Sequence, residues 1–568
     1  MKKISFFTSL FVISALCFSQ EALKSVEEEY YDFLSLQGIV ERPTLGYRTL
    51  SDSRWQFLPV EKITENEDGT FSKTVIPGNQ TDKNFWKNNN LGTTHILWES
   101  ESQGINWFSS GFYHGIKAKV FGPEWFNSYN TAAPYGQNDG ALWQGVGYNS
   151  SLTGGIRVEA FGFEGTFKPV VTFSQNKEFE LMPSAYDNKY AYIWGYGGNK
   201  GIDLPQRFGD KSYFQFDWGD SEVRYTYHNF TVGFGTQSPW LGPAWLNPML
   251  GSNNAGTYPK LDFGFRKTDI IVPKLRWNLG KFETRIWIGQ LTESDYFDND
   301  GKLDKNLLNG FNFSYSPSFI KGLTAGITKV CLTRWGNNFW RYINPFYSSN
   351  DITGIGEDQK ASVYVDWVFQ EAGFEFFAEI GVDDYTPNGI KGILNYPYDT
   401  MIYTLGLKKV FNHKSSPIIA SELIFEWNAI EKNIHRASGI SYYSYYFHAQ
   451  IGQGYTNRGQ LLGCGLGSTN SQYVSYKMYF KNCSVSLFLH HYNVDNDYAY
   501  LLWNNKGLYS YKANLAFGIS GEYFIKPNFY VAYKFVDDFI LNPHYKNTLE
   551  TSEKLNNLHI EISLKYLF

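Results

Sequence analysis

The chain has 568 residues, a formal net charge of −5 and equal shares of charged and aromatic residues, 18% each, with 42 Tyr, 46 Phe, 17 Trp and 53 Gly. So mild a charge offers no concentrated basic face for nucleic acid, and four widely spaced cysteines form neither a disulfide framework nor a zinc site. A chain this long usually splits into several soluble domains, but closed β architectures absorb more residues in one unit, and the surplus of Tyr, Phe and Gly favours such a fold.

Lys2 and Lys3, the apolar run from Ile4 to Phe18 and small Ser19 predict a secretory signal peptide over residues 1–19, hence an exported protein. Leu16 stands before Cys17 where a lipoprotein signal needs a small residue. Once Cys17 is cleaved away, Cys331, Cys464 and Cys483 remain, enough for one bridge at most. No later apolar run reaches the roughly 20 residues of a membrane helix. The other structure that pairs every backbone N–H and C=O inside a bilayer is a closed barrel.

In 21–40, EALKSVEEEYYDFLSLQGIV, the residues Leu23, Val26, Tyr30, Phe33 and Leu34 share a stripe at three-to-four spacing while Glu27, Glu28 and Glu29 lie elsewhere, which predicts an amphipathic helix. Gly38 and Pro43 end it. Residues 20–90 therefore read as a small periplasmic helical segment that packs under the barrel or plugs it. Residues 91–568 read as a transmembrane antiparallel β-barrel, all-β, with inward and extracellular loops. At ~10 membrane residues per strand plus turns, its length allows roughly 16–20 strands.

Sugar recognition combines aromatic surface, which packs on the C–H face of the ring, with amides and carboxylates that satisfy hydroxyls. PEWFNSYNTAAPYGQNDGALWQ, starting at Pro123, holds this mixture in Trp125, Tyr129, Asn130, Asn138, Asp139 and Trp143. WLGPAWLNPMLGSNNAGTY repeats it with Trp240, Trp245, Asn253 and Asn254. These ten residues are the candidate glycan contacts. The competing reading makes both stretches structural loops folded into the lumen, where Asn and Asp form turns and Trp fills space. Between them, FGFEGTF at 161–167 breaks the alternation with Gly, so its lipid-facing positions are not assigned.

Signals of catalysis are faint. Asp298, Asp300 and Gly301 are spaced as in a calcium loop, but Tyr296 and Leu307 occupy the first and last ligand positions, which leaves a turn. Glu375 and Glu379 share a strand face about 13 Å apart, wider than a glycosidase pair. His490 and His491 are adjacent, so a strand points them to opposite sides and they do not share a metal. No nucleophile elbow and no His-Glu-x-x-His zinc helix is present. The reading is a non-enzyme with no cofactor and no metal.

The last three strands show the alternation best. Ala513, Leu515, Phe517, Ile519 and Tyr523 oppose Lys512, Asn514, Ser520 and Glu522, and Phe529, Val531, Tyr533 and Phe535 oppose Tyr530 and Lys534. In the final strand Leu558, Ile560, Ile562, Leu564, Tyr566 and Phe568 oppose His559, Glu561, Ser563 and Lys565. A terminal alternating strand that ends on Phe resembles the recognition signal of outer-membrane barrels.

SPWLGPAWLNPMLGSNNAGTYP, with Trp240, Gly242, Pro243, Ser252, Asn253, Asn254 and Ala255, resembles the signature of the Wzi family of capsule-assembly proteins, although Leu241 stands where another bulky or aromatic residue is expected. The stretches 28–55, 122–155 and 452–472 resemble the branch of that family found in Bacteroidetes-like bacteria, in family order along the whole mature chain. The resemblance implies an eighteen-stranded outer-membrane barrel with a periplasmic helical bundle. It also implies a surface lectin, not an enzyme, that anchors capsular or other surface polysaccharide. Its partners are then that polysaccharide, outer-membrane lipid and, during insertion, the barrel-assembly machinery; nucleic acid is not among them, and a monomer is expected. The family's binding residues do not transfer, because its outer loops vary with the glycan. A diffusion porin and an outer-membrane hydrolase using a carboxylate such as Glu379 remain the alternatives.

Overall fold

The computed structural model describes residues 18–19, 25–65, 71–76, 96–101, 115–182, 189–190, 202–297, 302–336, 357–383, 390–395, 401–413, 417–431, 445–448, 451–494, 512–544 and 553–567. The expected signal peptide as far as Cys17, Leu23 of the helical stripe, the turn at Asp298, Asp300 and Gly301, and the terminal Phe568 lie outside these residues. Among the described residues no helix is long and apolar enough to cross a membrane.

Eighteen antiparallel strands form one closed barrel. The first half comprises β1 Gly115–Asn130, β2 Gly147–Ala160, β3 in two pieces (Phe163–Phe167 and Val170–Ser174), β4 in two pieces (Tyr213–Asp217 and Glu222–Tyr227), β5 Phe230–Gly235, β6 Lys260–Val272, β7 Trp277–Thr292, β8 Lys305–Pro317 and β9 Leu323–Arg334. The second comprises β10 Glu357–Phe369, β11 Phe374–Asp383, β12 Met401–Asn412, β13 Ala420–Ala429, β14 Asn470–Tyr479, β15 Cys483–Tyr492, β16 Ala513–Lys526, β17 Phe529–Leu541 and β18 Lys554–Tyr566. Pairing of β18 with β1, from His559↔Asn130 to Lys565↔Glu124, closes the wall. Connections at one end are tight turns such as 161–162 and 228–229, whereas those at the other are long, such as 131–146, 236–259 and 430–469.

The faces follow the two-residue period of a strand. On β18, Leu558, Ile560 and Ile562 stand outward, 40–51% exposed, while His559, Glu561 and Ser563 point into the lumen. Leu515, Phe517, Ile519 and Tyr523 of β16 are likewise outward. The alternation also continues through FGFEGTF: Phe161 and Gly162 make the turn with positive φ, Phe163 and Phe167 face out, and Glu164 and Thr166 face in. Gly165 therefore lies on the outer face, where an added Cβ would meet nothing within 4 Å.

Helix α1, Val26–Leu36, is capped by Ser25, whose hydroxyl accepts from Glu28 N, and ends where Gly38 takes φ +68. It packs at the turn end of the barrel. Tyr30, Phe33 and Leu34 join Val410, Tyr479, Phe524, Tyr530 and Leu567 in one apolar cluster, each side chain contributing about 1.5–3 kcal/mol through burial. Glu27 and Glu28, expected away from the apolar stripe, are themselves buried: Lys565 Nζ of the wall lies 2.8 Å from Glu27, and Trp55 Nε1 of the N-terminal segment donates to Glu28 at 2.7 Å.

Candidate functional site

Beyond α1 the chain climbs the lumen. Arg42 pairs with Asp32 at 2.9 Å, Asp366 at 2.9 Å and Glu375 at 2.7 Å. Backbone N–H groups of Leu45 and Gly46 donate to Glu283. Asp52 takes Arg266 at 2.9 Å and Arg285 at 3.1 Å, and Arg54 pairs with Glu164. Tyr47–Arg48 then pairs, strand to strand, with Trp240–Leu241 of the long connection 236–259, so a plug from the turn end meets a loop folded in from the other end.

That loop is anchored by wall carboxylates. Trp245, Leu246 and Asn247 offer three successive backbone N–H groups to the Glu426 carboxylate at 2.6, 2.9 and 2.8 Å. Its apolar side chains Leu241, Met249, Leu250 and Tyr258 pack with Trp287, Leu308, Val330 and Ile402 of the wall and with Tyr446, Tyr455, Leu461 and Leu462 of the 430–469 connection. Tyr446 and Tyr455 donate their hydroxyls to the carbonyls of Met249 (2.8 Å) and Leu250 (2.7 Å). Gly463 presses so closely on the Met249 carbonyl that an added Cβ would overlap it. One side of the lumen thus holds an apolar core.

The other side holds a crescent-shaped cavity of about 780 Å³ between the plug and the wall. Its lining runs from Ser25, Val26 and Glu29 at the turn end to Pro543, His544 and Glu180 at the loop end. On the wall, Tyr473, Phe488, His490 and Tyr492 form a run of neighbouring rings, with centroids 5.8 Å apart for Tyr473–Phe488, 5.5 Å for Tyr473–His490 and 4.8 Å for His490–Tyr492. Tyr135 enters from connection 131–146 with its ring 4.7 Å from that of His559.

Six of the ten candidates line this cavity: Asn138, Asp139, Trp143, Trp245, Asn253 and Asn254. They come together because Gly140 N donates to Asn253 O at 2.7 Å and Asn138 N to Asn254 Oδ1 at 3.2 Å, which ties the two loops. The other four sit elsewhere. Trp125 and Tyr129 occupy outward positions of β1 and are 48% and 39% exposed, so they belong to the aromatic outer surface and do not line the cavity. Asn130 is a buried fastener: its amide donates to the carbonyls of Tyr135, Gln144 and Gly145, and its oxygen faces His559 Nδ1 at 2.7 Å. Trp240 is buried too, its Nε1 donating to Ala244 O. The wall residues Tyr473, Phe488 and Tyr492 were not among the candidates, although their spacing of two at 488, 490 and 492 already puts three rings on one strand face.

Burial, and then Glu561, raise the Asp139 carboxyl to about 7 despite the opposing pull of Lys534. Burial also works to raise Asp32, but Arg42 and Lys408 outweigh it and hold that carboxyl well below the usual range. Glu375 is committed to Arg42 and Lys408, and neither it nor Glu379 lines the cavity. His490 faces the lumen while His491 bonds Gln472, as their adjacency requires. Cys331, Cys464 and Cys483 are free thiols. At the loop-end rim, His544 Nδ1 lies 3.1 Å from Glu553, nine residues on, and 3.7 Å from Glu180, which is too distant in the chain for the sequence to signal the trio.

The fold and the inward loop can now be set beside known proteins. Residues 129–332, from the end of β1 through the Trp240–Tyr258 loop into β9, match the family model of the capsule assembly protein Wzi. Over those residues the chain is similar to the Wzi family. The barrel is similar to that of Escherichia coli Wzi, an outer-membrane protein involved in group 1 capsule assembly and a carbohydrate-binding β-barrel, at 12% identity over 79% of this chain and 85% of that chain, TM-score 0.52. Acinetobacter baumannii OccAB2 matches at 9% identity over 79% of this chain and 98% of that chain with TM-score 0.39, and OccAB1 of the same organism at 12% over 83% and 100% with TM-score 0.37. No curated protein matches by sequence.

Proposed function

We propose that this chain is an outer-membrane carbohydrate-binding barrel that holds a surface polysaccharide on the cell during capsule assembly. The observation that carries the reading is the Wzi-family match over 129–332, which spans the very loop that folds inward and closes one side of the lumen. The long connections then face outward from the cell, α1 sits at the periplasmic end, and the apolar outer face meets lipid. An N-terminal signal peptide exports the chain, the barrel-assembly machinery inserts it, and it works as a monomer.

Two features favour binding over the alternatives. A diffusion porin needs a water-filled lumen, and here an apolar core from Tyr47 to Cys464 occupies much of it. The carboxylate pair that the sequence offered for a hydrolase, Glu375 and Glu379, does not line the cavity, and Glu375 is locked in ion pairs. The test is the partition of polysaccharide between cell pellet and medium in a strain lacking the protein, with total polymer measured alongside. Unchanged total polymer that shifts to the medium, and returns on complementation, is the expected result. An unchanged partition overturns the reading.

A further inference from the structure

The crescent cavity has the chemistry of a sugar site in its own right. At about 780 Å³ it falls within the ~300–1,000 Å³ of small-molecule sites, which suits a short oligosaccharide segment and not a whole polymer. Residues of its lining carry buried polar atoms with no hydrogen-bond partner among the described residues, among them Trp143 Nε1–H as a donor and Asn138 Oδ1 and Asn514 Oδ1 as acceptors. Buried polar groups are normally paired, so an unpaired set at one cavity asks for a ligand that both donates and accepts. Sugar hydroxyls do both, and the rings of Tyr135, Tyr473, Phe488 and Tyr492 supply the aromatic surface.

The lining charges narrow the class further. Its four lysines are all engaged: Lys168 with Asp220 at 2.9 Å, Lys477 with Glu522 at 3.0 Å, Lys534 with Glu561 at 3.3 Å, and Lys512 facing Asp538. Asp139 and Glu422 add further carboxyl groups. A polyuronate would have to break an existing ion pair to gain a cation, whereas an uncharged chain breaks none.

We propose that the crescent seats a short uncharged stretch of glycan, entering from the loop end, with its rings on Tyr135, Tyr473, Phe488 and Tyr492 and its hydroxyls on Asn138, Trp143 and Asn514. The proposal rests on the carbohydrate-binding reading and adds the seat and the charge class.

The test is calorimetry on the full chain in detergent. The probe is the oligosaccharide mixture from partial hydrolysis of the surface polysaccharide of the bacterium that makes the protein. Tyr135→Ala and Tyr473→Ala each weaken binding about tenfold, while Trp125→Ala on the outer face leaves it unchanged. Ser475→Trp, which fills the cavity from the wall instead of emptying it, abolishes binding; heat-modifiable migration on gels confirms that each variant is folded. Wild-type affinity stays within about twofold between 0.1 and 1 M NaCl. Wild-type binding that the folded lumen variants retain in full overturns the seat and leaves the lectin reading standing. A tenfold loss in 1 M salt overturns the uncharged class. Absence of any binding by the wild type overturns the seat and the lectin reading together.

Discussion

Glu426→Ala is the most direct perturbation of the inward loop. The wild-type carboxylate accepts from Trp245 N, Leu246 N and Asn247 N at 2.6–2.9 Å, all inside the lumen. Alanine leaves three inward-facing N–H groups without an acceptor, each worth ~1–2 kcal/mol net, so the loop anchor loses about 3–6 kcal/mol. The lower end applies if relief from burying the carboxylate offsets part of the loss. At ~1.4 kcal/mol per decade, hydrogen exchange at these three amides accelerates roughly 10²- to 10⁴-fold. Amides of β16 to β18, held by the wall ladder, keep their wild-type rates. Glu426→Gln, which retains one acceptor oxygen and introduces a donor, falls between the two. Exchange read by mass spectrometry on the peptide spanning 242–250 decides the matter. Less than a tenfold change there, or an equal change throughout the barrel, refutes the idea that this carboxylate anchors the loop.

Three other substitutions test the remaining contacts. Arg42→Ala takes the ion-pair partner from Asp366, leaves Asp32 and Glu375 to share Lys408, and lowers the thermal midpoint, by ~3–5 kcal/mol of stability, which a Lys replacement only partly restores. Gly463→Ala drives a methyl into the Met249 carbonyl, a backbone atom that cannot swing away, and lowers the yield of heat-modifiable barrel by ~1–3 kcal/mol of destabilisation. Asp139 titrates near 7 in the folded chain because it is buried and faces Glu561, while in the unfolded chain it ionises near 4. The folded state therefore holds a proton that the unfolded state releases, and its contribution is full below pH ~4 and is lost as pH rises toward 7. Asp139→Asn flattens that slope in a pH series of thermal midpoints and makes the protein more stable than wild type at pH 8, by on the order of 2–4 kcal/mol.

The barrel was legible because a strand's faces are set by covalent geometry: Leu558, Ile560 and Ile562 alternate with His559, Glu561 and Ser563 whatever else the chain does. The same geometry explains why two of the candidates stand apart from the others. Trp125 and Tyr129 look like part of a polar-aromatic loop in PEWFNSYN, but β1 continues to Asn130, so Phe126, Ser128 and Asn130 face inward and the two aromatics outward. Local composition does not reveal where a strand ends. The cavity wall was hidden for a different reason. Tyr473 meets His490 through the β14–β15 register, and Tyr135 reaches His559 across the closure between the first and last strands. Both contacts depend on pairing over long sequence separations.

The distribution of charge between plug and wall decides whether the plug is a gate. Carboxylates of the plug are matched by wall cations: Glu27 by Lys565 at 2.8 Å, Asp32 by Lys408 at 2.7 Å, and Asp52 by Arg266 and Arg285. The exchange also runs in reverse, with Arg42 and Arg54 of the plug matched by Glu375 and Glu164 of the wall. Withdrawing the plug would break all of these pairs and leave the wall groups only their wall partners, such as Lys408 with Glu375 at 3.2 Å and Arg266 with Glu164 at 2.7 Å, at a cost of several kcal/mol for each buried pair lost. No change of pH relieves both sets at once, since protonating the carboxylates frees the arginines and lysines to repel one another. The plug is therefore a fixed part of the fold.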